Sequence, residues 1–434
     1  MSDDAASSAT LSHLGGRRAW FVWTLSALAF GYAFFHRVAP SVMVSGLMSD
    51  FAIGAALLGT LTSLYFYPYV AMQVFLGPLI DRLGPRILLS VAISTGGIGS
   101  IMFATAETLT VAYSARLLIG IGSAVGFLGT LAIAGKWFPP ERFAFLSGLV
   151  MFFGMLSGIF ASGPLSLFVE THGWRNAMWG MGLFSFALAA ALFLFVANEP
   201  PGLLKRTGEK PQKWSSVWAG LWRAASTLEV WKVAFVASAM SGPMLALGTL
   251  WATPYLVTTY ELLPSRAATL VSLLLMGWAV GAPFFGWFSD RIKKRKAILV
   301  GTGALLVLCV ALLVFLETPP LWITVLLLIG MGLFGSAMSV TFALARERNP
   351  ATISGSVTGI VNSMTVASGA LLQPVIGYIL DLLWSGSIQD GNRVYTSSDY
   401  RIAFSAILVV VTLGFLITLR LKESPMADNK PAIG

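Results

Sequence analysis

The chain has 434 residues, is 56% hydrophobic and 11% charged, and carries a formal net charge of +9, with a mean hydropathy of +0.79. A soluble domain has about 25% charged residues, so a chain this apolar cannot cover itself in water and lipid must be the solvent for most of it. One cysteine, Cys309, excludes an intrachain disulfide and a multi-thiolate metal site.

Residues 1–18, MSDDAASSATLSHLGGRR, are small and polar and contain no short apolar core with a cleavage site, so no signal peptide is expected. Arg17 and Arg18 anchor the first span on its cytoplasmic side. Apolar runs of roughly 20 residues, enough for a spanning helix, lie near 20–48, 55–79, 87–105, 108–135, 143–168, 176–196, 231–257, 268–288, 297–316, 321–344, 354–381 and 402–420. They are too long for barrel strands and do not alternate. The expected fold is therefore an all-α membrane protein of twelve spans. A tail (1–18) precedes a first six-helix bundle (19–196), a linker (197–230), a second bundle (231–420) and a closing tail (421–434). In the linker, KWSSVWAGLWRAA puts Trp214, Val217, Trp218, Leu221 and Trp222 on one helical face. Such a helix lies on the inner leaflet or packs on the bundle.

Lysine and arginine set the orientation. With the N-terminus inside, 22 of the 28 fall on cytoplasmic segments, four on outer loops and two inside the membrane. Both termini are expected on the cytoplasmic side of the cytoplasmic membrane. The positive charge is thus spent on topology, and no nucleic-acid partner is expected.

The second half repeats the first. At an offset of 209 residues, Thr60, Leu61, Ser63, Leu64, Phe75, Gly77, Asp81 and Arg82 fall on Thr269, Leu270, Ser272, Leu273, Phe284, Gly286, Asp290 and Arg291. Two bundles in parallel orientation fit this. The stretch GPLIDRLGPR (Gly77 to Arg86) is similar to the loop signature of the major facilitator superfamily, Gly-x-x-x-Asp-Arg-x-Gly followed by two basic residues. Pro85 replaces the first of those two. In the second copy, Lys293 replaces the second glycine. Arg116, Gly120 and Gly122 resemble the family's pattern in span 4. The resemblance covers nearly the whole chain and implies a transporter working by alternating access. It gives Asp81, Arg82 and Arg86 a gating role that closes the inner mouth, with Asp290 and Arg291 as the looser mirror.

Charges inside a membrane are costly, at least roughly 2.5–3.5 kcal/mol each. Two basic residues lie there, Arg37 in span 1 and Arg116 in span 4, at similar depths and with no carboxylate well inside any span. A ligand anion could pair them. An arginine in span 1 followed by proline, as at Arg37 and Pro40, resembles the organic-anion and sugar-phosphate branches of the superfamily, and the run Arg-Val-x-Pro-Ser-Val resembles bacterial nutrient permeases. Span 7 lacks the second arginine of the sugar-phosphate carriers, and aligning Pro40 with Pro254 sets Trp251 opposite Arg37. A monocarboxylate, an amino acid or another small organic solute therefore suits the site better than a phosphate. Tyr65, Tyr69 and Gln73 share one helix face, as do Asn362, Thr365, Gly369 and Gln373. In lipid such groups must turn inward, toward a cavity or toward neighbouring helices. The candidate solute site is thus Arg37, Tyr65, Tyr69, Gln73, Arg116, Trp251, Asn362 and Gln373, with His36 a candidate for proton coupling.

No Gly-Lys-Ser/Thr nucleotide loop occurs, no cofactor or metal is expected, and energy would come from a co-transported proton or an exchanged anion. An integral membrane enzyme would need clustered histidines and acids, but His13, His36 and His172 are far apart. A transporter-like sensor and an exporter of drugs or metabolites are the rival readings. The expected partners are the bilayer and a small anionic or zwitterionic solute, and the expected state is a monomer.

Overall fold

The computed structural model describes residues 14–139, 142–200, 214–350, 353–389 and 391–423. His13, most of both tails and the centre of the expected linker lie outside them. The first half of the chain forms α1 (Arg17–Val38), a 3-10 turn (Ala39–Val42), α2 (Val44–Phe51), α3 (Ala55–Ser63), α4 (Phe66–Ala104), α5 (Leu109–Ala124), α6 (Gly126–Trp137), α7 (Phe143–Phe160) and α8 (Gly163–Phe195). The second forms α9 (Trp214–Ala225), α10 (Leu228–Pro243), a π-helical segment (Met244–Trp251), α11 (Ala252–Tyr260), α12 (Pro264–Ile292), α13 (Arg295–Phe315), α14 (Leu321–Gly335), α15 (Ser339–Glu347), α16 (Ser354–Leu383) and α17 (Ser397–Arg420). A two-residue antiparallel pair, Ile388–Gln389 with Asn392–Arg393, sits between α16 and α17.

Among the described residues ten helical runs are long and apolar enough to cross a membrane, or eleven if the bent pair 44–51 and 55–73 counts as one. The chain is a multi-pass membrane protein. The difference from twelve expected spans has a physical source. One run, Phe145–Phe195, is 51 residues long and covers two of the expected spans. Inside it Gly173 adopts a positive φ of 80°, where the chain can turn sharply without a side-chain clash. Gly84 does the same (φ 76°) inside α4, at the signature loop.

The helices leave two ends. The termini end carries Gly15, whose N–H donates to the Trp137 carbonyl, and Glu423, which accepts from the Lys296 N–H. At the distal end Arg175 donates to Asp50 and to the carbonyls of Ala104 and Ala106, and Tyr260 donates to the Pro319 carbonyl. Within the halves, α4 packs on α5 and α8, α10 on α16, and α12 on α14. Across the halves, α3 and α4 meet α16, while α7 and α8 meet α12. At the distal end these seams are tight. A methyl group at Gly59 would come within 2.5 Å of the Gln373 carbonyl oxygen. At the termini end, methyl groups at Gly77, Gly148, Gly286, Gly355 or Gly359 would meet nothing within 4 Å. Helix α9 packs on α16, and its Trp218 ring also meets Phe75 edge-on. Trp222 on the same helix is 79% exposed.

Candidate functional site

The site is built from helix breaks. Pro40 has no N–H, so the carbonyl of His36, four residues earlier, loses its helical donor. The chain tightens there into the 3-10 turn Ala39–Val42. Helix α3 stops at Ser63 and α4 starts at Phe66. Arg116 on α5 serves both interruptions. Its Nη1 donates to the His36 carbonyl (3.2 Å) and its Nη2 to the Thr62 carbonyl (3.1 Å). The guanidinium is buried, and both terminal nitrogens are turned onto backbone. A helix break in the second half faces the first: the Ala39–Val42 turn contacts the π-helical segment Met244–Trp251.

Arg37 projects from the end of α1 into a cage of rings. Its guanidinium carbon lies 4.8 Å from the centroid of Phe34, 5.1 Å from Tyr69, 5.8 Å from Tyr65 and 5.9 Å from Phe66. Aromatic faces attract a cation, most strongly when it is desolvated, and Arg37 is 7% exposed. Among the described residues it makes no ion pair, and its Nε has no protein hydrogen-bond partner. Tyr65 is fixed between the two arginines. Its ring lies 5.3 Å from the Arg116 guanidinium carbon, its hydroxyl donates to the Ala33 carbonyl at 2.8 Å, and it stacks on Tyr69.

One turn along α4 from Tyr69, Gln73 joins the halves by accepting from Asn362 Nδ2 at 3.2 Å. Trp251 and Gln373 are tied to each other instead. The Trp251 indole donates to the Gln373 carbonyl, and Gln373 Nε2 donates to the Leu245 carbonyl and Thr249 Oγ1. The bond to Leu245 gives a backbone carbonyl of the π-helical segment a donor from α16. His36 packs its ring on Tyr32 at 4.5 Å, and both ring nitrogens are buried without a protein partner.

Arg86, Asp290 and Arg291 make their contacts within their own halves. The Arg86 guanidinium donates to the Phe193 carbonyl and its backbone N–H to Asn198. Asp81 and Arg82 are exposed. In the second copy, Asp290 pairs with Arg295 at 2.6 Å, and Arg295 also pairs with Glu347 at 2.8 Å. Arg291 lies over the Trp287 ring at 5.7 Å. Arg295 reads in sequence only as part of a basic run, yet it is buried at the centre of this cluster. Phe34 and Phe66 were also missed. Their signal was available: Phe34 is one turn before Arg37, and Phe66 is beside Tyr65 and one turn before Tyr69.

Curated relatives span most of this chain. It is 24% identical over 373 residues to the probable sulfoacetate transporter SauU of Cupriavidus necator, covering 82% of this chain and 85% of that one. It is 23% identical over 416 residues to the probable L-galactonate transporter of Escherichia coli K12, covering 91% and 87%. It is 27% identical over 321 residues to the probable nitrate/nitrite transporter NarK2 of Mycobacterium tuberculosis, covering 71% and 76%. The fold matches the crystal structure of a bacterial homologue of the human lysosomal transporter Spinster, with a TM-score of 0.75 at 15% identity over 93% of this chain and 98% of that one. It also matches the nucleoside transporter NupG, with a TM-score of 0.67 at 16% identity over 91% and 99%. Residues 25–374 match the family description Major Facilitator Superfamily, and the chain belongs to that superfamily.

Proposed function

We propose that this protein is a secondary transporter that carries a small organic anion across the cytoplasmic membrane by alternating access. One observation carries the reading: the Arg37 guanidinium is nearly buried, caged by four rings and without a carboxylate partner among the described residues. A buried cation lacking a counter-ion is costly, and a solute carboxylate or sulfonate would offset that cost. Arg116 spends its terminal nitrogens on carbonyls, leaving Arg37 as the cation for a single anionic group. The names of the relatives point the same way, since sulfoacetate, galactonate and nitrate are all anions.

Tyr65 and Tyr69 shape the anion pocket, and Gln73 with Asn362 offers polar contact from both halves. Trp251 and Gln373 form the opposite wall. His36, with two unpartnered ring nitrogens, is the coupling candidate for a co-transported proton; exchange for a second anion is the other route. The 145–195 run crosses twice, giving twelve spans in two bundles of six. The lysine and arginine bias puts both termini in the cytoplasm, so the open end faces inward here. Asp81, Arg82, Arg86, Asp290 and Arg291 would close that end in the outward-facing state, with the monomer as the working unit.

The test is uptake into proteoliposomes of sulfoacetate, L-galactonate and nitrate, with thermal shift on the purified protein. An anion taken up should also stabilise the protein against unfolding, and Arg37→Ala should abolish both effects. Uptake retained by Arg37→Ala would overturn the anion site.

A further inference from the structure

The distal seam is held by two carboxylates that cap helices of the opposite half. A helix start leaves backbone N–H groups without partners. Helix α17 satisfies its own, through the Thr396 and Asp399 capping box, and α5 through Thr108. Helices α3 and α12 begin after Gly54 and Leu263 and have no side-chain cap of their own. Each borrows one across the seam. Asp381, at the end of α16, accepts from the N–H of Ala55 (3.1 Å) and Ala56 (3.0 Å). Glu170, on α8, accepts from the N–H of Ser265 (2.8 Å) at the start of α12. Ala56 and Ser265 are 209 residues apart, the offset at which the two repeats align. The two caps therefore act on equivalent amides and run in opposite directions between the halves.

The Asp381 cap is a built cup. Tyr395 donates to Asp381 Oδ1 at 2.5 Å and accepts from the Ala55 N–H at 2.9 Å, while Arg393 donates to the same carboxylate oxygen at 3.2 Å. All three side chains belong to the second half, and only the helix end comes from the first. Separating the halves at this end would strip both carboxylates of their amides and uncap both helices.

From this geometry we infer that Asp381 and Glu170 are functional residues of the transport cycle, a paired latch that holds the distal end shut while the termini end is open. A carboxylate at a helix N-terminus gains from hydrogen bonds and from the helix dipole together. Both gains vanish when the distal end opens, so the latch sets the balance between the two states. The inference rests on the alternating-access reading above.

The test is a distance measurement by pulsed electron spin resonance. Spin labels go on Leu57 and Leu382, two exposed positions flanking the seam, in the full chain in nanodiscs. Asp381→Asn should raise the population with the longer separation roughly tenfold, the effect of losing charge-assisted hydrogen bonds. Glu170→Gln should raise it by a smaller factor, and the two factors should multiply in the double variant. Asp50→Asn is the control, because Asp50 bonds Trp174 and Arg175 within its own half at the same end. It should leave the distribution unchanged. A wild type that moves when sulfoacetate, L-galactonate or nitrate is added, beside variants that match it, would overturn the latch. So would an equal shift from Asp50→Asn. A single fixed separation in wild type and variants, with every anion, would instead overturn alternating access itself.

Discussion

The guanidinium of Arg116 ends on two carbonyls, and a carbonyl has no residue identity to read in a sequence. That is why a buried arginine in span 4 could be placed by depth but not by partner. A clue did exist: Pro40 frees the carbonyl of His36, and a donor had to come from a neighbouring helix. Arg37, Tyr65 and Tyr69 were legible because a cation and two phenols at helical spacing must leave lipid for the interior. Arg116→Ala would leave two buried carbonyls unpaired, at about 1–3 kcal/mol each. Lysine would not rescue it, since a single ammonium lacks the fork that reaches both. Thermal unfolding in detergent should therefore fall for Arg116→Ala and for Arg116→Lys, with transport falling in parallel. Normal stability combined with lost solute affinity would show instead that Arg116 touches the solute.

At the scale of elements, the apolar runs reveal the existence of the helices but not their interruptions. The expected span 20–48 is α1, a 3-10 turn and α2, and the expected span 231–257 contains a π-helical stretch. Pro40 marks the first interruption. The second follows Pro243 and is stabilised by Gln373, which is distant in sequence. Such tertiary rescue of backbone is invisible to local periodicity. The close approach of α3 and α16 is equally hidden, because a glycine inside an apolar run reads only as a weak helix former. At Gly59 it decides the packing: an added Cβ would press on the Gln373 backbone. Overpacking of this kind costs typically about 1–3 kcal/mol, and here it falls only on the state with the distal seam closed. Gly59→Val should shift the protein toward distal opening. A cysteine at Ser63, fully buried in this state, should then react faster with a maleimide supplied from the distal side. Unchanged reactivity would show that the seam tolerates the bulk.

The whole molecule combines a near-symmetric chain with an asymmetric state. The repeat was legible from Gly77, Asp81 and Arg82 recurring as Gly286, Asp290 and Arg291, and the family followed from it. Which end closes was not legible, because both seams are made from glycine-containing, apolar helices. The signature acid Asp81, which family resemblance places at a closed inner mouth, is exposed here, while the distal seam is tight. If the same chain closes the other end, α4 and α16 must approach at their termini ends. Gln73 and Asn362 already touch near the middle. One turn further toward the termini lie Gly77 and Gly359, where an added methyl group would meet nothing within 4 Å. A cysteine pair at Gly77 and Gly359, in a Cys309→Ser background, should be separated in this state and cross-link only when the termini end shuts. Oxidation during turnover should therefore trap the protein and stop uptake, and a reductant should restore it. A disulfide needs Cα atoms about 4.4–6.8 Å apart, so its formation would report direct apposition of the two helices. Uninterrupted uptake with no cross-link under oxidising turnover would mean that α4 and α16 never meet there, and that the termini end closes by some other pair of helices.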